Sequence, residues 1–113
     1  MNTDLSYLQS VSDGDPQLIT EMIEIFSTQV REFSRLMYDY LEQEDWQELS
    51  KLAHKAKSSV AIMGMKDLSE KLRKLEKLAQ EEKEVQKIPG FIDYFTVASG
   101  EAVAELTEYL STI

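Results

Sequence analysis

In this 113-residue sequence the side chain best suited to act as a nucleophile near neutral pH occurs once, at His54. An imidazole in water titrates near about 6.5, so at pH 7 it is mostly the neutral, nucleophilic form. Lys51, Lys55, Lys57 and Lys66 surround it in sequence. A positive field beside a neutral imidazole suits a group that receives and holds a phosphoryl anion. Other chemistries fall away. With no cysteine, disulfides, thiolate metal sites and thiol nucleophiles are excluded together. One histidine cannot supply the two or three imidazoles of a hydrolytic zinc site. A hydrolase triad could use a single histidine, but no G-x-S-x-G elbow accompanies it. No G-x-x-x-x-G-K-[ST] loop, kinase glycine loop or DFG-like metal motif is present, so the chain is not expected to use ATP unaided.

The charge is unevenly spread. The chain has 21 acidic and 12 basic side chains, a net −9, which disfavours nucleic acid and anionic membranes as partners. Residues 1–49 carry 2 basic and 11 acidic groups, residues 50–77 carry 8 and 3, and residues 78–113 carry 2 and 7. His54 therefore lies in a basic island of an acidic protein. A solvated helical face with internal pairs such as Glu70–Lys74 reads the same way, so the island alone does not decide the matter.

The elements that must position His54 are helical. Four glycines and two prolines punctuate the chain, and apolar residues recur at three and four throughout. A short segment over about Thr3 to Ser12 carries Leu5, Leu8 and Val11 on one side. Asp15 is placed to cap a second helix, with Pro16 at its first position. A stripe from Ile19 through Met22, Ile23, Phe26, Val30, Phe33, Met37 and Tyr40 to Leu41 then runs about seven turns. Asp45-Trp46-Gln47-Glu48 has the reciprocal capping-box spacing, and Asp67-Leu68-Ser69-Glu70 repeats it. Between them Leu49, Leu52, Ala53, Ala56, Val60 and Met63 mark a core-facing helix. Gly64 is its natural left-handed terminator, with Val60 and Met65 in contact across the end. Leu68, Leu72, Leu75 and Ala79 line the next helix, and Glu81 to Lys87 reads as a polar loop. After Pro89-Gly90, the residues Ile92, Phe95, Ala102, Leu106, Tyr109, Leu110 and Ile113 suggest a last long helix that Gly100 interrupts. Short links make neighbours antiparallel. The expectation is an all-α fold: one domain over 1–113, an antiparallel up-down four-helix bundle with a short additional N-terminal helix.

On the wheel of the third helix, centred on Ala56, His54 lies about 160° from the core direction. The ring is expected in solvent. Lys57, Ser58 and Ala61 follow it at i+3, i+4 and i+7. Ile62 and Met65 add apolar surface beside it, a small docking patch.

The run Leu52-Ala53-His54-Lys55-Ala56-Lys57-Ser58-Ser59 resembles the signature of histidine-containing phosphotransfer (HPt) domains. Gly64 falls ten residues after the histidine, Leu68 opens the next helix and Leu75-Glu76 closes the match, while Asp45-Trp46 resembles the family's start of the histidine helix. The resemblance is specific over about residues 45 to 76. Two positions depart from the pattern: Ser58 stands where glycine is usual, and Ala56 where leucine is common.

The resemblance implies that His54 accepts a phosphoryl group from a receiver-domain phosphoaspartate and passes it to another receiver. Lys57 would stabilise charge on the phosphoryl oxygens. Glu76, about 40° from Leu72 on its own wheel, either orients His54 or Lys57 or is an ordinary exposed helical glutamate. Lys51, Lys55, Ser58, Ala61, Ile62 and Met65 would form the docking surface, with Gly64 in support. The implied partners are response-regulator receivers and receiver-containing hybrid kinases, and the chain needs no cofactor of its own because the receiver brings Mg²⁺. A cytoplasmic, monomeric, free-standing protein fits the Met1 start and the absence of any long apolar run. Two other readings remain open at this level: a non-transferring binding protein of the same fold, hinted at by Ser58, and an unrelated acidic helical adaptor.

Overall fold

The computed structural model describes residues 5–112. Among them the chain forms α1 (Ser6–Ser12), α2 (Pro16–Gln43), α3 (Trp46–Ile62), α4 (Lys66–Glu81), a 3₁₀ turn (Val85–Lys87) and α5 (Ile88–Leu110). Thr3 and Ile113, and the side chains of Leu8 and Val11, lie outside the described residues. The four long helices close a ring in which α2 packs on α3 and α5, and α4 packs on α3 and α5. The closest association is α3 with α4. The shared core holds Ile19, Ile23, Phe26, Val30, Phe33 and Met37 of α2, Leu49, Leu52, Ala53, Ala56 and Val60 of α3, Leu68, Leu72, Leu75 and Ala79 of α4, and Ile88, Ile92, Phe95, Ala102 and Leu106 of α5. Met22, Tyr40 and Leu41 pack at its edge.

Local chemistry sets most boundaries. The Asp15 carboxylate accepts from the Gln17 amide, and Pro16 occupies the first turn, where a missing N–H costs nothing. Asp45 likewise accepts from the Glu48 amide at 3.3 Å. The reciprocal half of that capping box is not made. The Asp45 N–H goes instead to the Tyr40 carbonyl, because the chain turns tightly through left-handed Glu44, and Glu48 pairs with Lys51.

The second box is absent altogether. Helix α4 starts at Lys66 with Met65 as its uncapped flanking residue, which leaves Asp67 inside the first turn and Glu70 paired with Arg73. The cause is the turn before it. Gly64, at φ +70°, donates to the Ala61 carbonyl, and Met65 donates to the Val60 carbonyl. This is the Schellman arrangement, and it sends the chain straight into α4 with Val60 and Met65 both buried.

Two expectations about α5 are corrected. It starts at Ile88, so Pro89 and Gly90 lie in its first turn, where proline is tolerated. It also continues through Gly100, since the buried residues on either side, Ser99 and Ala102, hold the backbone in register. The polar link of Glu81 to Lys87 is shorter than expected. Left-handed Glu82 and Glu84 flank Lys83, and the 3₁₀ turn leads directly into α5.

Candidate functional site

Helix α3 presents its outer face at His54, whose side chain is 64% exposed. The opposite side of the same helix is fully buried at Leu49, Ala53, Ala56 and Val60. The flank between those two faces meets α4. It carries Ser50, a small residue that lets the second backbone come close. Ser50 is buried, and its hydroxyl donates to the Glu76 carbonyl oxygen at 3.1 Å. That bond ties α4 to α3 at the level of the histidine.

From this anchor the Glu76 carboxylate reaches back across the seam. The His54 Nδ1 lies 3.1 Å from Glu76 Oε2 and 3.2 Å from Oε1. With a carboxylate as acceptor the fitting neutral tautomer is the one with its hydrogen on Nδ1, and in that tautomer the Nε2 lone pair is free. Lys57, one turn further along α3, donates from Nζ to Glu76 Oε1 at 3.3 Å. The carboxylate is 23% exposed and Lys57 27%, so this pair is partly shielded while the ring stands in solvent.

Three side chains from two helices thus converge. Glu76 lies against both His54 and Lys57. Ser50 went unrecognised in the sequence. Its signal was a serine one turn before the histidine, on the flank it shares with Lys57.

The remaining expected residues separate. Lys51, Lys55, Ser58, Ala61 and Ile62 are exposed along α3, from one turn before the histidine to about two turns past it. Lys51 is held by Glu48 at 3.3 Å. Met65 is not part of that surface. It is only 3% exposed and sits in the core, because α3 stops at Ile62 and the Gly64 turn directs the next side chain inward. Lys66 opens α4 beyond that turn. His54 to Ile62 alone spans about 12 Å of helix axis, so Lys66 does not ring the imidazole.

This arrangement can hold an imidazole with one nitrogen fixed and the other presented outward. Phosphorylation at Nε2 with the Nδ1 hydrogen retained gives a cationic ring, and a carboxylate already bonded to Nδ1–H stabilises that cation. The Lys57 ammonium has two further N–H donors beyond the one given to Glu76, which suit phosphoryl oxygens. Among the described residues no group of three His, Cys, Asp or Glu side chains is placed to hold a metal ion. No helix among them is long and apolar enough to cross a membrane.

Comparison with curated proteins and with solved structures finds no match. A protein-family model described as Hpt domain matches residues 21–113, a span that holds α3, α4 and their three converging side chains. The chain therefore belongs to the Hpt domain family, whose members carry phosphoryl groups on histidine in two-component signalling and interact with receiver domains and kinases.

Proposed function

We propose that this protein is a phosphorelay intermediate with His54 as its phosphoacceptor. The observation that carries this reading is the solvent-exposed imidazole held through Nδ1 by Glu76, with Nε2 left free. In the transfer, Nε2 attacks the phosphorus of a receiver phosphoaspartate in line. The P–O bond to the aspartyl carboxyl breaks, its electron pair leaves with the carboxylate, and an N–P bond forms. The ring keeps its Nδ1 hydrogen and becomes cationic, opposite the Glu76 carboxylate. The reverse sequence of bonds delivers the group to a second receiver.

Such a transfer depends on positioning and charge neutralisation more than on covalent help from the protein. Glu76 fixes the ring and Lys57 meets the phosphoryl oxygens. The docking surface is formed by Lys51, Lys55, Ser58, Ala61 and Ile62, and its cations face an acidic receiver pocket, which favours encounter and register. The receiver supplies Mg²⁺. Gly64 supports the site indirectly, through the turn that sets α4 against α3.

The architecture around the site is a single up-down bundle with neighbouring helices antiparallel. Its support is the brevity of the Glu44-Asp45 and Met63–Met65 links and the pairings of Ser34 with Thr96 and Tyr38 with Asp93, which run in opposite senses along α2 and α5. The short α1 precedes this bundle. A cytoplasmic monomer completes the reading.

The test is incubation with a phosphorylated receiver domain. Wild type should acquire an acid-labile, base-stable label and His54→Gln should not. A stable complex without label on the wild type would replace this reading by a non-transferring binding protein.

A further inference from the structure

Only part of the basic island lies at His54. Lys71, Lys74 and Lys77 project from α4, and Lys71 stands about 140° from Glu76 around the helix axis. With Lys83 and Lys87 of the following turn, and with Glu81 and Glu84 as the acidic members of the lining, they border two adjoining depressions between α4 and the start of α5, of about 360 and 370 Å³. The two share Lys87 and Phe91 and so form one shallow groove.

Three features mark this groove out. First, Lys77 and Lys83 form no ion pair among the described residues, and Lys74 has only a longer-range attraction to the Glu70 carboxylate, although acidic side chains outnumber basic ones. Glu84 is spent on Lys87 at 3.1 Å. Second, Lys71 lies 5.4 Å from the Tyr94 ring centre and 5.9 Å from that of Phe91, so the groove has an aromatic end as well as a cationic one. Tyr94 is 42% exposed. Third, Leu78 packs half-buried in the floor, an apolar foothold.

We propose that this groove is a docking site for an acidic peptide segment of another protein, anchored by one apolar or aromatic side chain. Lys71, Lys74 and Lys77 are spread over about 9 Å of helix axis. That spread suits carboxylates on alternate residues of an extended chain, about 7 Å apart. A nucleotide needs its charges gathered at one point, whereas these ammonium groups are strung along a helix and the turn that follows it. An anionic membrane would meet the whole acidic surface, whereas a peptide meets only the local field within a Debye length of about 8 Å. The groove lies on the α5 side of α4 and His54 on the α3 side, so a tethered partner leaves the imidazole uncovered. The site stands whether or not His54 carries phosphate.

The probe is a fluorescein-labelled peptide of glutamates around one central phenylalanine, titrated by anisotropy into the full chain. Saturable binding is expected, weakened at least tenfold by the double charge reversal Lys74→Glu/Lys83→Glu and several-fold by Tyr94→Ala. His54→Gln should leave it unchanged, and raising the salt should weaken it. Circular dichroism of each variant checks that the exposed substitutions leave the helices intact. Any one of four results would overturn the proposal: no saturable binding, equal binding of the glutamine-for-glutamate peptide, indifference to the charge reversal, or displacement by ATP or by phosphatidylserine vesicles at lower concentration than by unlabelled peptide.

Discussion

The two sides of α4 draw on one stretch of lysine-rich sequence and come to opposite electrostatic arrangements. Towards α3, a single half-buried carboxylate gathers an imidazole and an ammonium within about hydrogen-bond distance of itself. Towards α5, Lys77 and Lys83 form no ion pair among the described residues and Lys71 stands over an aromatic ring, while Lys87 is held by Glu84. Arg73 contributes to neither side. It is taken by Glu70, whose carboxyl is held below its ordinary value chiefly by that hydrogen bond. The lesson is that net charge along a sequence says how many ions a surface holds, while pairing decides what they can do. A paired cation orients; an unpaired one attracts.

The largest expected effect tests the oriented side alone. His54→Gln should reduce phosphoryl labelling to background while the melting temperature stays within a degree or two, since the ring is exposed. A large drop in stability would mean that the ring is structural and would erase the contrast with the groove. Next, Glu76→Ala should slow labelling by about tenfold to a hundredfold, the size of effect met when the hydrogen-bond partner that orients a metal-bound imidazole is removed. Glu76→Gln separates the two parts of its role. Recovery of most of the rate by the amide would assign the effect to orientation, and persistence of the defect would assign it to charge.

Gly64→Ala reaches both sides at once, because the turn at Gly64 sets where α4 lies. A φ of +70° should make this substitution cost about 1–2 kcal/mol, lowering the melting temperature by about 4–8 °C. An unchanged transition would show that the turn can be made another way.

Lys57→Ala should slow transfer by less than Glu76→Ala, about five- to tenfold, with an unchanged circular dichroism spectrum. Rates equal to wild type would reduce Lys57 to a solvated partner of Glu76. The smallest effect is expected from Ser58→Gly. It restores the family's usual residue on the exposed face of α3 and should alter transfer from a given receiver by no more than about threefold. A larger change would make Ser58 a determinant of partner choice.

Much of this was legible in the residues themselves. The spacing of Leu49, Ala53, Ala56 and Val60 already turned His54 outward, and Asp15-Pro16, Asp45 and Gly64 marked helix ends that the structure keeps. These are local, rotational properties, determined within a few turns by helix periodicity and by which side chains can satisfy free amides. The misreadings were local signals overridden by neighbours. Asp67 had capping chemistry, but the Gly64 turn had already started the helix. Gly100 had a helix-breaker's freedom, but packing of Ser99 and Ala102 held the helix through it. Met65 had the character of a docking residue, but the same turn carried it into the core.

What only the tertiary structure decided is convergence. Glu76 and His54 are 22 positions apart, and no period links them. Their meeting depends on how closely two backbones approach, which small residues permit and the Ser50–Glu76 hydrogen bond secures. Likewise, whether a lysine finds a carboxylate depends on which helix lies across from it. A sequence determines its own rotations; distances between its helices are set by the packing of all of them together.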